Sequence, residues 1–85
     1  MGRRRGEVQI LIDILGISLK GVKVTRLMYK ANLSYSTLRK YLSAMSKQGL
    51  IVKSYNEEGS AVYRATEKGK LALDKLKEIN YVLRV

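Results

Sequence analysis

The chain has 85 residues, 46% hydrophobic and 28% charged, which points to one globular domain rather than a disordered segment. It has no cysteine and no histidine, which removes disulfides, thiolate chemistry, the usual zinc ligands and the commonest general base. Its formal net charge of +10 sits almost wholly in residues 1–56, and between Lys20 and Asn56 eight basic residues meet no acidic one, a single-sign field suited to DNA, RNA or an anionic membrane.

Met1 to Gly6 reads as a disordered basic tail, with Arg3, Arg4 and Arg5 placed to enter a minor groove or to act as non-specific charge. These arginines followed by the apolar run Val8 to Ile17 imitate a signal peptide. Asp13 interrupts the run, no small-residue cleavage site follows, and the run is too short to span a bilayer. A cytoplasmic protein is therefore expected, with no membrane role.

Helix one is predicted from Glu7 to about Ser18. Val8, Leu11, Ile12 and Leu15 form one stripe at helical spacing, and Ile10, Ile14 and Ile17 form a second. Such a helix is buried on more than one side, although its isoleucines also suit a strand. Lys20-Gly21-Val22-Lys23 is a connector with room for a very short strand. Thr25 is placed to cap helix two, predicted from Arg26 to Asn32, with Leu27, Met28 and Ala31 inward. Asn32-Leu33 then makes a tight turn with Leu33 tucked into the core.

Ser34 is a good N-cap for helix three, which runs to about Gln48. At about 100° per residue, Leu38, Leu42 and Met45 fall within about 60° of one another, and Tyr35 and Tyr41 flank them. The opposite face carries Ser36, Lys40, Ser43 and Lys47, with Arg39 on its shoulder. Gly49 suits the left-handed residue that ends the helix. Leu50 to Tyr55 and Ala61 to Ala65 are β-prone runs around a turn at Asn56 to Ser60, which makes a hairpin. Thr66 caps helix four, and Glu67 lies in its first turn, where the helix dipole favours an anion.

The fold class is therefore mainly α with a small β-hairpin (α+β), in the order helix, helix, helix, hairpin, helix, which is that of a winged helix-turn-helix. Residues 7–65 form its core and residues 66–85 a C-terminal helix. The stretch Gly21-Val22-Lys23-Val24-Thr25-Arg26-Leu27-Met28-Tyr29-Lys30-Ala31-Asn32-Leu33-Ser34 resembles the start of the bihelical unit in small archaeal winged-helix proteins. These include predicted transcriptional regulators and the Sulfolobus 10-kDa DNA-binding proteins. Tyr63-Arg64-Ala65-Thr66-Glu67-Lys68-Gly69 is similar to the Y-x-x-T-x-K-G segment that joins wing to final helix in that group. The resemblance implies DNA binding, dimers formed through the last helix and no enzymatic activity. The chain departs from an ideal DNA reader at its wing tip, where Glu57 and Glu58 would be repelled by phosphate.

Helix three is the candidate recognition helix, and Tyr35, Ser36, Arg39, Lys40, Ser43 and Lys47 are its contact set, with no carboxylate anywhere on the helix. Arg39 can bridge guanine O6 and N7. Tyr35 has two open roles, core packing or phosphate contact, while Tyr41 reads as core. Thr25 and Arg26, at the start of helix two, are placed to meet a phosphate, with Lys23 and Lys30 as supporting charges. Lys53 and Arg64 in the wing either touch DNA or pair with Glu57 and Glu58. On helix four, Gly69, Leu73, Leu76, Asn80 and Leu83 follow a 4-3-4-3 spacing that places Asn80 on a seam between paired helices. Ala72, Leu76, Ile79 and Leu83 give an equally good packing face against the domain core, so one side of the helix is expected to meet the core and the other a partner copy. With Ile79 added, Leu73, Leu76, Asn80 and Leu83 are the candidate homodimer surface, and a domain this small gains from pairing.

The leading expectation is a double-stranded DNA-binding regulator of transcription acting as a homodimer. A sequence-independent architectural binder is the close alternative. A protein–protein winged helix is a third reading, which calls for apolar exposure on helix three. No nucleophile–base pair, metal cluster or Gly-rich phosphate loop appears, so neither catalysis, a cofactor nor a metal is expected.

Overall fold

The structure is a computed structural model that describes residues 6–83, so Arg3, Arg4 and Arg5 lie outside the described residues. Its elements are α1 (Glu7–Ile17), β1 (Val22–Lys23), α2 (Val24–Ala31), α3 (Tyr35–Lys47), β2 (Ile51–Tyr55), β3 (Ala61–Ala65) and α4 (Glu67–Leu83). The three strands form one antiparallel sheet in the order β1-β3-β2. Four helices and this small sheet make the winged-helix architecture.

Several boundaries have a local cause. Ser34 Oγ accepts from the Thr37 amide at 3.2 Å and starts α3. Gly49, at φ 75°, ends it, with the Leu50 amide donating to the Met45 carbonyl and the Gly49 amide to that of Ser46. Asn32 does the same for α2 at φ 56°, which returns Leu33 to the Met28 carbonyl. In the hairpin turn, Asn56 Oδ1 accepts from the Glu58 and Ser60 amides at 2.9 Å each.

The start of α2 corrects the expected cap. Val22 pairs with Tyr63 and Lys23 with Val62, so the chain passes from strand straight into helix. Lys23 is the N-cap, without a side-chain bond, and Thr25 is an exposed residue inside the first turn.

The core gathers Ile14 and Leu15 of α1, Leu27 and Ala31 of α2, Leu38, Leu42 and Met45 of α3, Ile51, Ala65 and Leu73. The Ser18 carbonyl, at the end of α1, accepts from the amides of Gly21 and Ala65 and ties that helix to the sheet. At the α3–α4 junction, Thr66 Oγ1 donates to the Gly49 carbonyl at 2.6 Å and accepts from the Gly69 amide at 3.0 Å. Thr66→Ala is expected to lower stability by about 1–2 kcal/mol in urea denaturation, with Thr66→Ser recovering most of it. An unchanged midpoint in the alanine variant would show that the junction holds without the hydroxyl.

Helix α4 packs on α1 within the same chain, and this corrects part of the expected seam. Leu73 is buried in the core and Leu76 is partly buried against it. The Asn80 amide donates to Gln9 Oε1 at 3.2 Å, and Gln9 Nε2 donates to Asp13 Oδ1 at 2.8 Å. The 4-3-4-3 row therefore begins as an intrachain contact, because α1 offers the nearest apolar surface to cover it. Exposed apolar side chains on α4 are Leu71, Ile79, Tyr81, Val82 and Leu83.

Candidate nucleic-acid interface

The buried stripe Leu38, Leu42 and Met45 anchors α3 and turns Ser36, Arg39, Lys40, Ser43 and Lys47 to solvent. These five, with Ala44 and Gln48, line one shallow groove along the helix. No acidic side chain occurs on α3, so every charge on this face is positive. Tyr35, whose role the sequence left open, is 53% exposed. The Arg39 guanidinium lies 6.0 Å from its ring centroid, with Nη1 3.5 Å from the hydroxyl. Tyr41 is half-buried against the core.

A second cleft joins α3 to the sheet and is lined by Tyr35, Arg39, Ser43, Ser46, Lys53 and Tyr63, among others. Lys53 reaches it because Lys53 and Tyr63 are register partners and share a sheet face. Its ammonium also lies 5.8 Å from the centroid of Tyr55, two residues along the strand. A third hollow holds Lys23, Thr25, Arg26 and Asn56, beside the start of α2. Lys30 is exposed on α2.

Arg64 does not join Lys53. It is the register partner of Val52, so strand alternation puts it on the other face of the sheet. There its guanidinium crowds Gly21, where an added Cβ would meet Nη2 at 2.9 Å. Of the two roles open for the wing cations, pairing with the acidic tip is not the one the side chains take. Glu58 lies 4.0 Å from Lys23, an exposed pair that contributes little, while Lys53 rests on Tyr55.

Sequence reasoning missed Ser46, Gln48 and Tyr63 as lining residues of these surfaces. It also missed that Tyr55, outside those linings, lies against the Lys53 ammonium, although their i, i+2 spacing places both on one side of a strand. Among the described residues no group of three acidic, histidine or cysteine side chains is placed to hold a metal ion. No described helix is long and apolar enough to cross a membrane.

A helix–turn–helix of α2 and α3, followed by a β2–β3 hairpin, now has its sequence counterpart. Residues 4–84 match the winged helix-turn-helix family. The chain belongs to that family. Within the winged helix-turn-helix, α3 is the second helix of the bihelical unit and β2–β3 is the wing. The fold is similar to that of Sso10a-2, a DNA-binding protein from Sulfolobus solfataricus, with a TM-score of 0.83 and 31% identity over 92% of this chain and 81% of that one. It is also similar to the transcriptional regulator BldR from Sulfolobus solfataricus, with a TM-score of 0.81 and 15% identity over 88% of this chain and 56% of that one, a likeness of fold alone. An uncharacterized protein of Methanocaldococcus jannaschii is 34% identical over 77 residues, which are 89% of this chain. The match spans 34% of that relative's own length.

Proposed function

We propose that this winged helix binds duplex DNA as a homodimer and regulates transcription, with α3 in the major groove and β2 against the backbone. The observation that carries this reading is the outward face of α3. Ser36, Arg39, Lys40, Ser43 and Lys47 are all exposed there, and no carboxylate interrupts them. A helix of 13 residues is about 20 Å long and fits a major groove about 12 Å wide. Arg39 and Ser36 lie toward its N-terminal half, the part that reaches base edges. Thr25, Arg26, Lys30 and Lys53 meet phosphates on either side. The likeness to the DNA-binding Sso10a-2 supports DNA as the partner. Arg64 faces the other side of the sheet and has the weakest claim to contact. The protein acts on the nucleoid, in the cytoplasm, and its chemistry is binding rather than catalysis.

A second reading, architectural binding without sequence preference, is favoured by two observations. The middle of the α3 face holds no Asn or Gln to read adenine, and Arg39 is held over Tyr35. The protein–protein reading lacks the apolar surface it requires, since Ala44 is the one aliphatic residue lining the α3 groove.

Fluorescence anisotropy against a random-pool duplex and a duplex from the gene's own upstream region separates the first two. A preference for the upstream duplex of about a thousandfold or more, erased by Arg39→Ala, is the result for a regulator. Equal affinities with a steep salt slope assign the architectural role. No binding to either duplex at near-physiological salt contradicts both.

The dimer surface proposed for α4 comprises Ile79 and Leu83, with Val82 beside them. Ile79 is 49% exposed and Leu83 64%, and together with Glu78 and Val82 they line one apolar hollow. Leu76 and Asn80 border that surface from the α1 side. Sedimentation equilibrium is expected to show a dimer at high micromolar concentration and a monomer for the pair Ile79→Glu and Leu83→Glu. A monomeric wild type contradicts the assignment.

A further inference from the structure

The cleft between α3 and β2 has a property that duplex binding does not require. Arg39 from α3 and Lys53 from β2 both line it, and each cation lies over a phenol ring. Those rings belong to Tyr35, itself a lining residue, and to Tyr55 at the end of β2. Both rings are in water, Tyr35 at 53% and Tyr55 at 66% exposure, and neither belongs to the core cluster. In a duplex the faces of the bases are covered by their neighbours, so an exposed ring finds only edges and backbone. Unpaired bases offer their faces. A basic cleft that tracks phosphates, flanked by rings on which bases stack, is the arrangement that holds single strands irrespective of sequence. Cations over the rings add attraction to the same platform.

We propose that this cleft binds single-stranded DNA, with Tyr35 and Tyr55 stacking unpaired bases while Arg39 and Lys53 meet the phosphates between them. The inference rests on the nucleic-acid reading of the same face and extends it from paired to unpaired strands. A winged helix built this way holds one strand of a locally opened duplex as well as the closed form. Tyr55 is the discriminating residue, because it stands outside the proposed duplex contact set.

The test is anisotropy of the full chain with a labelled oligo-dT of about 12 nucleotides, run beside a labelled duplex, at low salt. Intrinsic tyrosine fluorescence gives a second readout, since the chain has six tyrosines and no tryptophan, and stacking quenches them. The wild type is expected to bind oligo-dT with quenching. Tyr55→Leu is expected to weaken oligo-dT about tenfold while duplex affinity stays within about twofold, and Tyr55→Phe to retain both. Circular dichroism checks that each variant is folded. A wild type that binds duplex but not oligo-dT overturns this proposal and leaves the proposed function standing. An equal loss on both ligands in Tyr55→Leu overturns it as well, as does binding of oligo-rU without oligo-dT. A wild type that binds neither duplex nor oligo-dT overturns the proposed function together with it.

Discussion

Gly69→Ala is expected to destabilise the fold by about 2–4 kcal/mol, against the ordinary helix preference for alanine. Gly69 lies in the first turn of α4 and is buried. A Cβ there would run into the Leu50 carbonyl oxygen and lie 3.1 Å from the Leu50 carbonyl carbon and 3.3 Å from Leu15 Cδ2. The obstacle is backbone, and it is pinned from two directions. The Leu50 carbonyl accepts from the Thr66 amide at 3.0 Å, and the Leu50 amide donates to Met45 at 2.9 Å. Relief requires α4 to move off the end of α3, which also disturbs Thr66 and its two bonds. For a domain of this size the midpoint of thermal unfolding is expected to fall by roughly 10–25 °C, read by circular dichroism. Gly16→Ala is the control. Gly16 is exposed near the end of α1, with nothing within 4 Å of its Cβ position. That variant is expected to gain up to about 1 kcal/mol. A Gly69→Ala midpoint equal to or above the wild type would mean that the α3–α4 junction is looser than the contact distances require.

Reversing charge on α3 is expected to have the largest effect on binding. Lys40→Glu with Lys47→Glu places two carboxylates on a face that has none, at residues that are exposed and outside the core cluster. Duplex affinity is expected to fall by about a hundredfold or more near 0.1 M salt. The slope of log affinity against log salt should shrink by about two units, one for each lost phosphate contact. The matched control is Lys75→Glu with Lys77→Glu, exposed on α4, which changes net charge equally. Its effect is expected to stay within severalfold, because long-range attraction is screened over about 10 Å at that salt. Equal losses from the two pairs would mean that net charge, not the α3 face, governs association.

The parts legible in the sequence are those with a local cause. Ser34, Asn32, Gly49 and Thr66 end or start helices through bonds within a few residues of themselves, and the apolar spacing of α3 states which side faces solvent. The parts that were not legible depend on distant partners. The start of α2 moved because Lys23 pairs with Val62, 39 residues further along the chain. Asn80 fits a helical seam on spacing alone, but spacing cannot say whether the facing helix belongs to a partner or to α1, and here Gln9 answers it. Lys53 and Arg64 looked equivalent until the hairpin register was known. A one-residue difference in pairing exchanges the faces of a strand, and the observed register keeps Lys53 beside α3 and sends Arg64 away.

The α3 face as the duplex-binding surface is tested most directly by titrating the isotope-labelled protein with a short duplex and following its backbone amide resonances. The largest shifts are expected at Ser36, Arg39, Lys40, Ser43 and Lys47, with smaller ones at Thr25, Arg26 and Lys53. Saturable binding that moves the amides of α4 and leaves those of α3 in place would contradict the assignment.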